Sequence, residues 1–414
     1  MRDRRAVMIT GLGVLSPIGL DVAQVAASLA VTRSGIGLVR AAPLKNAYPA
    51  GFIGAAFASS FAKLELAYLD RCQHLAIIAA RQAIADAGLG NFADFGERAG
   101  VYYGNVNGGA GVEQLCYEHL LVQGEQAMRP FWGMAVMRNG GAAQISIRHQ
   151  VRGPVITHSS ACAASGVALG EAARAIADGH LDIAVAGGAE APLTASLFAT
   201  FDGARTLAQL DEQHASRSCK PFSSTRNGLV IGEGAAFLVL EAADLARRRG
   251  APCYGYLSGY GVCCDAYHVG TPQVQGLARA MSAALEHAAL APAEIGYLNA
   301  HATATVRGDL VEAEAIQAVF GGGGDAPLVS STKSVHGHLL GAASALELLL
   351  TVVAMNAAMV PATANLESID PRCALNHVAL LPLFGKKIDH AMSFSSGFGG
   401  TNVALIVSRR ERPG

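Results

Sequence analysis

Short β-branched runs alternate along this chain with longer alanine-rich stretches, a pattern that predicts layered strands and helices of an α/β fold. Ala6 to Thr10 predicts a strand, followed by a turn at Gly11-Leu12-Gly13 and then Pro17. Leu75 to Ala87 predicts a helix that Gly88 stops. Val101-Tyr102-Tyr103 predicts a strand feeding a glycine-rich loop from Gly104 to Gly111. Ala163 to Ile176 predicts a further helix, ended by Gly179, and Ile183 opens the next buried strand. The most apolar helix candidate, Leu346 to Val360, is interrupted by Glu347 and Asn356 and closed by Pro361. It is too short and too interrupted to span a bilayer, so it predicts a core helix and no membrane association.

A faint internal repeat overlies this alternation. The glycine-rich turn and apolar strand from Gly232 to Leu240 return as Gly397 to Val407. Likewise the small-residue stretch Cys162 to Glu171 has a counterpart in His338 to Glu347. Two similar halves, 1–250 and 251–414, follow from that reading, with the boundary near Arg248-Arg249-Gly250-Ala251-Pro252. Composition agrees with a large interior: of 414 residues, 51% are hydrophobic and 15% charged. Lys+Arg number 31 against Asp+Glu 32, so no global field selects nucleic acid. The 8 cysteines contain no Cys-x-x-Cys pair, which points to a reduced, cytoplasmic setting rather than a disulfide framework. The basic start Met1-Arg2-Asp3-Arg4-Arg5 meets Gly11 too soon to serve as a signal peptide.

Candidate chemistry gathers at three loops. Cys162 lies between an extended run and a helix start, where free backbone N–H groups and the helix dipole favour a thiolate and lower a thiol pKa. Its small neighbours leave room for an oxyanion at a backbone N–H, although a buried structural cysteine has the same local sequence. His301 follows the apolar run Tyr297-Leu298-Asn299, and Asp309 and Glu312 come after it at a helix start. His338 sits in the loop Ser331 to Gly341, close to Lys333. Strand-end loops of this kind are where α/β enzymes carry reactive side chains. His336-Gly337-His338 also has metal-ligand spacing and could bind zinc with His301 and Cys162; the nearby Lys333 cation argues against it, so no metal is assigned.

Taken together, Cys162, His301, Lys333, His338 and Gly397-Phe398-Gly399-Gly400-Thr401-Asn402 resemble the β-ketoacyl-acyl-carrier-protein synthases, type II elongating ketosynthases of the thiolase superfamily. The resemblance runs from Ile9-Thr10-Gly11-Leu12-Gly13 to the last strand and includes Val185 to Glu190, Gly228 to Gly234 and Asp265 to His268. It implies a thiolase-like α-β-α-β-α sandwich in five layers, built from two similar halves. It also implies that Cys162 accepts an acyl group and that His301 and His338 promote decarboxylation of a malonyl unit. Lys333 would orient the His301 loop, with Glu347 and Glu312 as supporting carboxylates. The backbone N–H groups of Cys162 and Phe398 would bind the oxyanion. Phe398 and Gly399 would gate an acyl pocket that Asn107 and Phe201 also line. No cofactor is implied beyond the phosphopantetheine of an acyl carrier protein, the expected partner. A second subunit, identical or homologous, is expected beside it.

Several residues depart from that pattern. Ala302 and Ala304 replace glycines after His301 and are expected to demand ordinary backbone angles. Ser223 and Asn227 stand where relatives often carry aspartates, and Ser396 where a Phe usually precedes Gly397. Asn107 is polar where an apolar residue is usual, which suggests a polar or unsaturated growing chain and hence a polyketide or polyene pathway over fatty-acid synthesis. The segment expected to dock the carrier keeps Lys63 and Arg71, joined by Arg205, with Arg129 and Arg138 as further candidates. Two other readings stay open. A chain-length-factor subunit would normally have lost the nucleophile that Cys162 preserves, and a thiolase would carry a second cysteine where Ser395-Ser396 stands.

Overall fold

The computed structural model describes residues 4–55, 57–211, 214–323 and 326–411; the basic start at 1–3 lies outside them. Ten strands form the main sheet. The first five are β1 (Val7–Leu15), β2 (Ala99–Gly104), β3 (Val155–His158), β4 (Ile183–Glu190) and β5 (Gly234–Ala242). The second five are β6 (Gly255–Cys264), β7 (Tyr297–Asn299), β8 (Leu328–Ser330), β9 (His390–Ser396) and β10 (Thr401–Ser408). Their order is β8-β7-β9-β10-β6-β1-β5-β4-β2-β3. Read outward from the centre, β1-β5-β4-β2-β3 and β6-β10-β9-β7-β8 are the same order. Parallel and antiparallel pairs repeat as well, because β2 runs parallel to β3 and β4 as β7 does to β8 and β9. The halves meet at β1 and β6 through Met8–Tyr256 and Ile9–Gly255.

Five helices build the layers: α1 (Arg71–Asp86), α2 (Ala164–Ala177), α3 (Val274–Ala288), α4 (Val306–Phe320) and α5 (Ala343–Asn356). Helix α1 covers the outer face of the first half-sheet, and α3, backed by α4, covers that of the second. Helices α2 and α5 lie between the two half-sheets. Leu169, Ile176, Leu346, Leu349 and Val353 join them to one continuous apolar core. This is the thiolase-like α-β-α-β-α arrangement that the resemblance implied. All but the last residue of α5 are buried, which explains a helix apolar on every side without a membrane. Among the described residues no helix is long and apolar enough to cross a bilayer.

Two local expectations need correction. Gly11-Leu12-Gly13 is not a turn, for β1 continues to Leu15 with a register shift between Ile9 and Gly11. The glycines are there for close packing: a Cβ at Gly11 or Gly13 would lie 2.1 or 2.0 Å from the carbonyl oxygens of Ala83 and Ala79 in α1. The helix expected from Leu346 to Val360 starts earlier and stops at Asn356, and Met359–Val360 forms a short strand. Gly88 and Gly179 do end their helices, in left-handed conformations at φ 71° and 79°.

Candidate active site

Strand β3 delivers the chain to a tight turn, Ala161–Ala163, that runs straight into α2. Ala161 takes φ 49°, an angle costly for a residue with a Cβ, and this bend places Cys162 at the head of the helix. The second half repeats the device, with Leu340 at φ 47° three residues before α5 begins at Ala343. The structural counterpart of Cys162 is therefore Gly341 and not His338, because the helix starts and not the reactive side chains set the repeat. Ser344 of α5 donates to the Cys162 carbonyl at 2.9 Å, tying the two central helices at the site.

Cys162 is only 9% exposed. Burial pushes its thiol up to about 12, against the Lys333 charge and a hydrogen bond from the Phe398 N–H, which both pull it down. The helix start does not produce the lowered thiol pKa expected from the sequence, since desolvation outweighs it. A neutral thiol needs a base at hand, and His338 Nε2 lies 2.9 Å from Sγ. His338 is held by its backbone, with N–H to the Val230 carbonyl at 2.6 Å and carbonyl to the Gly232 N–H at 2.8 Å.

His301 stands edge-on to His338 with ring centres 5.4 Å apart. Its loop is fixed by Glu312 of α4, whose carboxylate accepts the N–H groups of His301 and Ala302, both at 2.7 Å. Both imidazoles are held well below their ordinary range by burial and, next, by the Lys333 charge. They are neutral at physiological pH. Lys333 is itself buried and forms an ion pair with Glu347 at 2.5 Å. Burial pushes Glu347 up to about 7 although Lys333 opposes it. The donor atoms of Cys162, His301 and His338 lie within 4.8 Å of one another, near enough to share a cation. The buried lysine that depresses both imidazoles would repel one equally.

Gly397 packs on the nucleophile turn so tightly that a Cβ would lie 2.8 Å from the Ser160 carbonyl and 3.2 Å from the Cys162 nitrogen. Phe398 is 51% exposed and stacks on Phe201 at 6.4 Å between ring centres. Gly399 and Gly400 follow at φ 88° and 85°, left-handed angles that favour glycine, and the Gly399 N–H donates to the Val269 carbonyl at 2.7 Å. A cleft runs from Cys162, His301 and His338 past Phe201 and Phe398 to Thr303, Thr305 and Arg307.

This constellation can accept an acyl group on sulfur and present two neutral imidazoles to a developing negative charge, with an aromatic side chain beside the thiol. The comparisons with known proteins agree. The model for the beta-ketoacyl synthase N-terminal domain matches residues 4–246, and that for the beta-ketoacyl synthase C-terminal domain matches residues 254–367. The chain belongs to the beta-ketoacyl synthase family. A 3-oxoacyl-[acyl-carrier-protein] synthase 2 of Staphylococcus aureus is 35% identical over 99% of this chain and 100% of its own length. Nodulation protein E of Rhizobium meliloti is 37% identical over 97% and 98%. The structure of the ishigamide ketosynthase/chain length factor superposes with a TM-score of 0.91 at 32% identity, covering 99% of this chain and 100% of that one.

Within this ketosynthase the remaining candidates divide. Phe201 and Phe398 line the cleft, whereas Asn107 and Gly399 are not among the described cleft residues. The Asn107 amide is turned to the buried Glu190, donating to its carboxylate at 3.0 Å. Burial pushes Glu190 up to about 7, and Gly341 lets it approach, since a Cβ there would lie 2.7 Å from Oε1. Arg71 is a staple rather than a free docking charge: it grips Glu233 at 2.7 and 2.8 Å and the Ile53 carbonyl at 2.7 Å. Lys63 is exposed. Arg205 is exposed between the cleft residues Phe201 and Thr206. Arg129 lies over the Trp132 ring and Arg138 donates to the Val106 carbonyl at 2.5 Å. Glu190 and Ser344 lie inside segments legible in the sequence, Val185 to Glu190 and His338 to Glu347, but their contacts with Asn107 and Cys162 depend on the packed fold.

The alanines after His301 correct a further expectation. Ala304 does not adopt an ordinary angle but φ 67°, the left-handed conformation a glycine would take. Its carbonyl accepts the Gly228 N–H at 3.0 Å and its own N–H bonds Asp309, so the surroundings hold the strained backbone. Relief of left-handed strain, about 1–2 kcal/mol, exceeds the added chain entropy of a glycine. Against that gain stands the buried Ala304 methyl, worth about 0.8 kcal/mol, so Ala304→Gly is expected to change stability by no more than about 0.5 kcal/mol, read as a nearly unchanged denaturation midpoint at unchanged slope.

Proposed function

We propose that this ketosynthase performs a decarboxylative Claisen condensation, joining an acyl group on Cys162 to a malonyl group on a carrier protein to give 3-oxoacyl-carrier protein. The observation that carries this reading is the 2.9 Å contact between Cys162 Sγ and the neutral His338, with His301 beside it. In the first half-reaction Sγ attacks the thioester carbonyl and its proton passes to His338 Nε2. The oxyanion is taken up by the N–H groups of Cys162 and Phe398, and the carrier thiol departs with the proton. In the second, malonyl-carrier protein loses carbon dioxide while His301 and His338, the latter now in the tautomer with its proton on Nε2, donate hydrogen bonds to the enolate oxygen. The enolate carbon then attacks the acyl-Cys162 carbonyl and expels the thiolate, which takes a proton from water to restore the thiol.

Lys333 positions the His301 loop electrostatically, and Glu347 and Glu312 hold Lys333 and that loop. Phe398 with Gly399 gates the acyl site, and Asn107 acts from behind the cleft lining through the buried Glu190. Substrates arrive on phosphopantetheine, so the protein needs no cofactor of its own. An acyl carrier protein docks at the mouth by Arg205 and Lys63. The halves 1–250 and 251–414 act as one unit, a division supported by the repeated strand order. The edge strand β3, with Val155 and Ile156 exposed, suits pairing with a second subunit, identical or homologous. A polyketide or polyene pathway in a reduced, cytoplasmic setting fits the Asn107 substitution and the eight free cysteines.

The test is carrier-bound condensation with a malonyl donor and a panel of acyl primers, alone and with a homologous partner. The 3-oxoacyl product is expected by mass spectrometry, with acylation mapped to Cys162. No product with any primer or partner, together with an inert Cys162 thiol, would favour the non-condensing chain-length-factor role.

A further inference from the structure

We propose that Arg307 is a specificity-determining residue that binds the phosphodiester of the substrate's prosthetic arm at the cleft mouth, an inference that rests on the condensing function above. Arg307 lines the same cleft as Cys162, His301 and His338, and it is the one lysine or arginine among the described cleft residues. It is solvent-exposed, and no carboxylate pairs with it among the described residues. The nearest acid in sequence, Asp309, is fully buried and turned away, accepting the Phe222 N–H at 2.8 Å. The acid on the cleft wall, Glu312, spends its oxygens on the His301 and Ala302 N–H groups, and burial pushes it up to about 8. Among the described cleft residues Arg307 is thus the exposed charge, and neither Asp309 nor Glu312 neutralises it.

The position of Arg307 is also built in advance. It lies in the first turn of α4, and the buried Arg226 clamps the two preceding carbonyls, Thr305 at 3.3 Å and Val306 at 2.7 Å. Arg226 in turn is anchored on Asp370 at 2.7 Å. Thr303 and Thr305, whose hydroxyls are 3.2 Å apart, line the wall beside Arg307. Gly308 leaves room for that pair, because a Cβ there would lie 2.3 Å from Thr305 Oγ1. A guanidinium fork beside two hydroxyls at a helix start matches the oxygens of a phosphate, whereas an uncharged thioester arm makes no use of the charge. Arg205, exposed and next in sequence to the cleft residue Thr206, adds positive charge nearby.

The test compares acylation of Cys162 by two thioesters of one acyl group, acyl-pantetheine and acyl-4′-phosphopantetheine, at subsaturating concentrations. In the wild type the phosphorylated arm is expected to react about tenfold faster, and in Arg307→Ala that ratio should fall to near one. Arg307→Lys should restore part of it, and raised salt should erode it in the wild type. An equal loss for both thioesters would leave the ratio intact and overturn the proposal, as a purely structural role would. A defect seen only with the intact carrier protein would also overturn it, assigning Arg307 to the carrier surface instead. Failure of both thioesters to acylate Cys162 would overturn the condensing function itself.

Discussion

Cys162→Ala is expected to lower condensation by about 10⁴-fold or more, because the acyl relay disappears and the first half-reaction has no nucleophile. The site otherwise survives: His338 is held through Val230 and Gly232, and His301 through Glu312, none of which needs the sulfur. The variant should therefore fold and still bind a malonyl arm. Cys162→Gln separates the half-reactions more sharply. Its amide places a carbonyl oxygen where the acyl-enzyme oxygen would lie, so the two imidazoles can still act on the malonyl group. Carbon dioxide release without 3-oxoacyl product is the expected signature, measured with labelled malonyl-carrier protein. Condensation by Cys162→Ala at wild-type rates would overturn the nucleophile assignment.

Lys333→Met is expected to reduce condensation about 100-fold and to create an acid limb in its pH profile. In the wild type His301 and His338 are depressed by burial and by Lys333, so they remain neutral below the ordinary imidazole value of 6.5. Removing the charge leaves burial, with a smaller push from a neighbouring imidazole, and both pKa values rise. The active neutral forms are then lost as pH falls through a range where the wild type keeps them. Plotted as log kcat/KM against pH, the variant should bend downward on the acid side at higher pH than the wild type.

A stability loss is expected as well, since breaking a buried pair costs about 3–5 kcal/mol when the survivor stays charged. Glu347 has an escape: without its partner its pKa rises further above 7, and it takes up a proton. The sign follows from that raised pKa. The penalty is smallest at low pH, where Glu347 is protonated in both states, and grows as pH rises through its folded value. Adding Glu347→Gln should restore stability while leaving the acid limb in place. A double variant that recovers both would reduce Lys333 to a structural role.

Much of this protein is legible one segment at a time. Alternating apolar runs and alanine-rich stretches specify strands and helices because those preferences depend on nearby residues; Gly88 and Gly179 end helices for reasons local to their own φ angles. The faint repeat was readable too, although its register was not: Cys162 answers to Gly341 because helix starts set the symmetry. Where distant segments meet, local reasoning failed. Gly11-Leu12-Gly13 has the composition of a turn, yet α1 packing on it makes it a strand. Ala304 has the residue type of an ordinary backbone, yet its bonds to Gly228 and Asp309 impose a left-handed angle.

The site divides in the same way. Order and type of the reactive residues, Cys162, His301, Lys333, His338 and Phe398, are properties of the sequence, and they named the chemistry before any geometry. Their state is not. That the thiol is neutral and not a thiolate follows from burial, and that an imidazole lies against it follows from a 2.9 Å contact spanning 176 positions of chain. Arg71 looked like a docking charge until Glu233 was found beside it, and Arg307 was one arginine among many until it faced an open cleft. Charge, desolvation and reach are set by what lies across a few ångströms of space, and only the packed fold decides which residues those are.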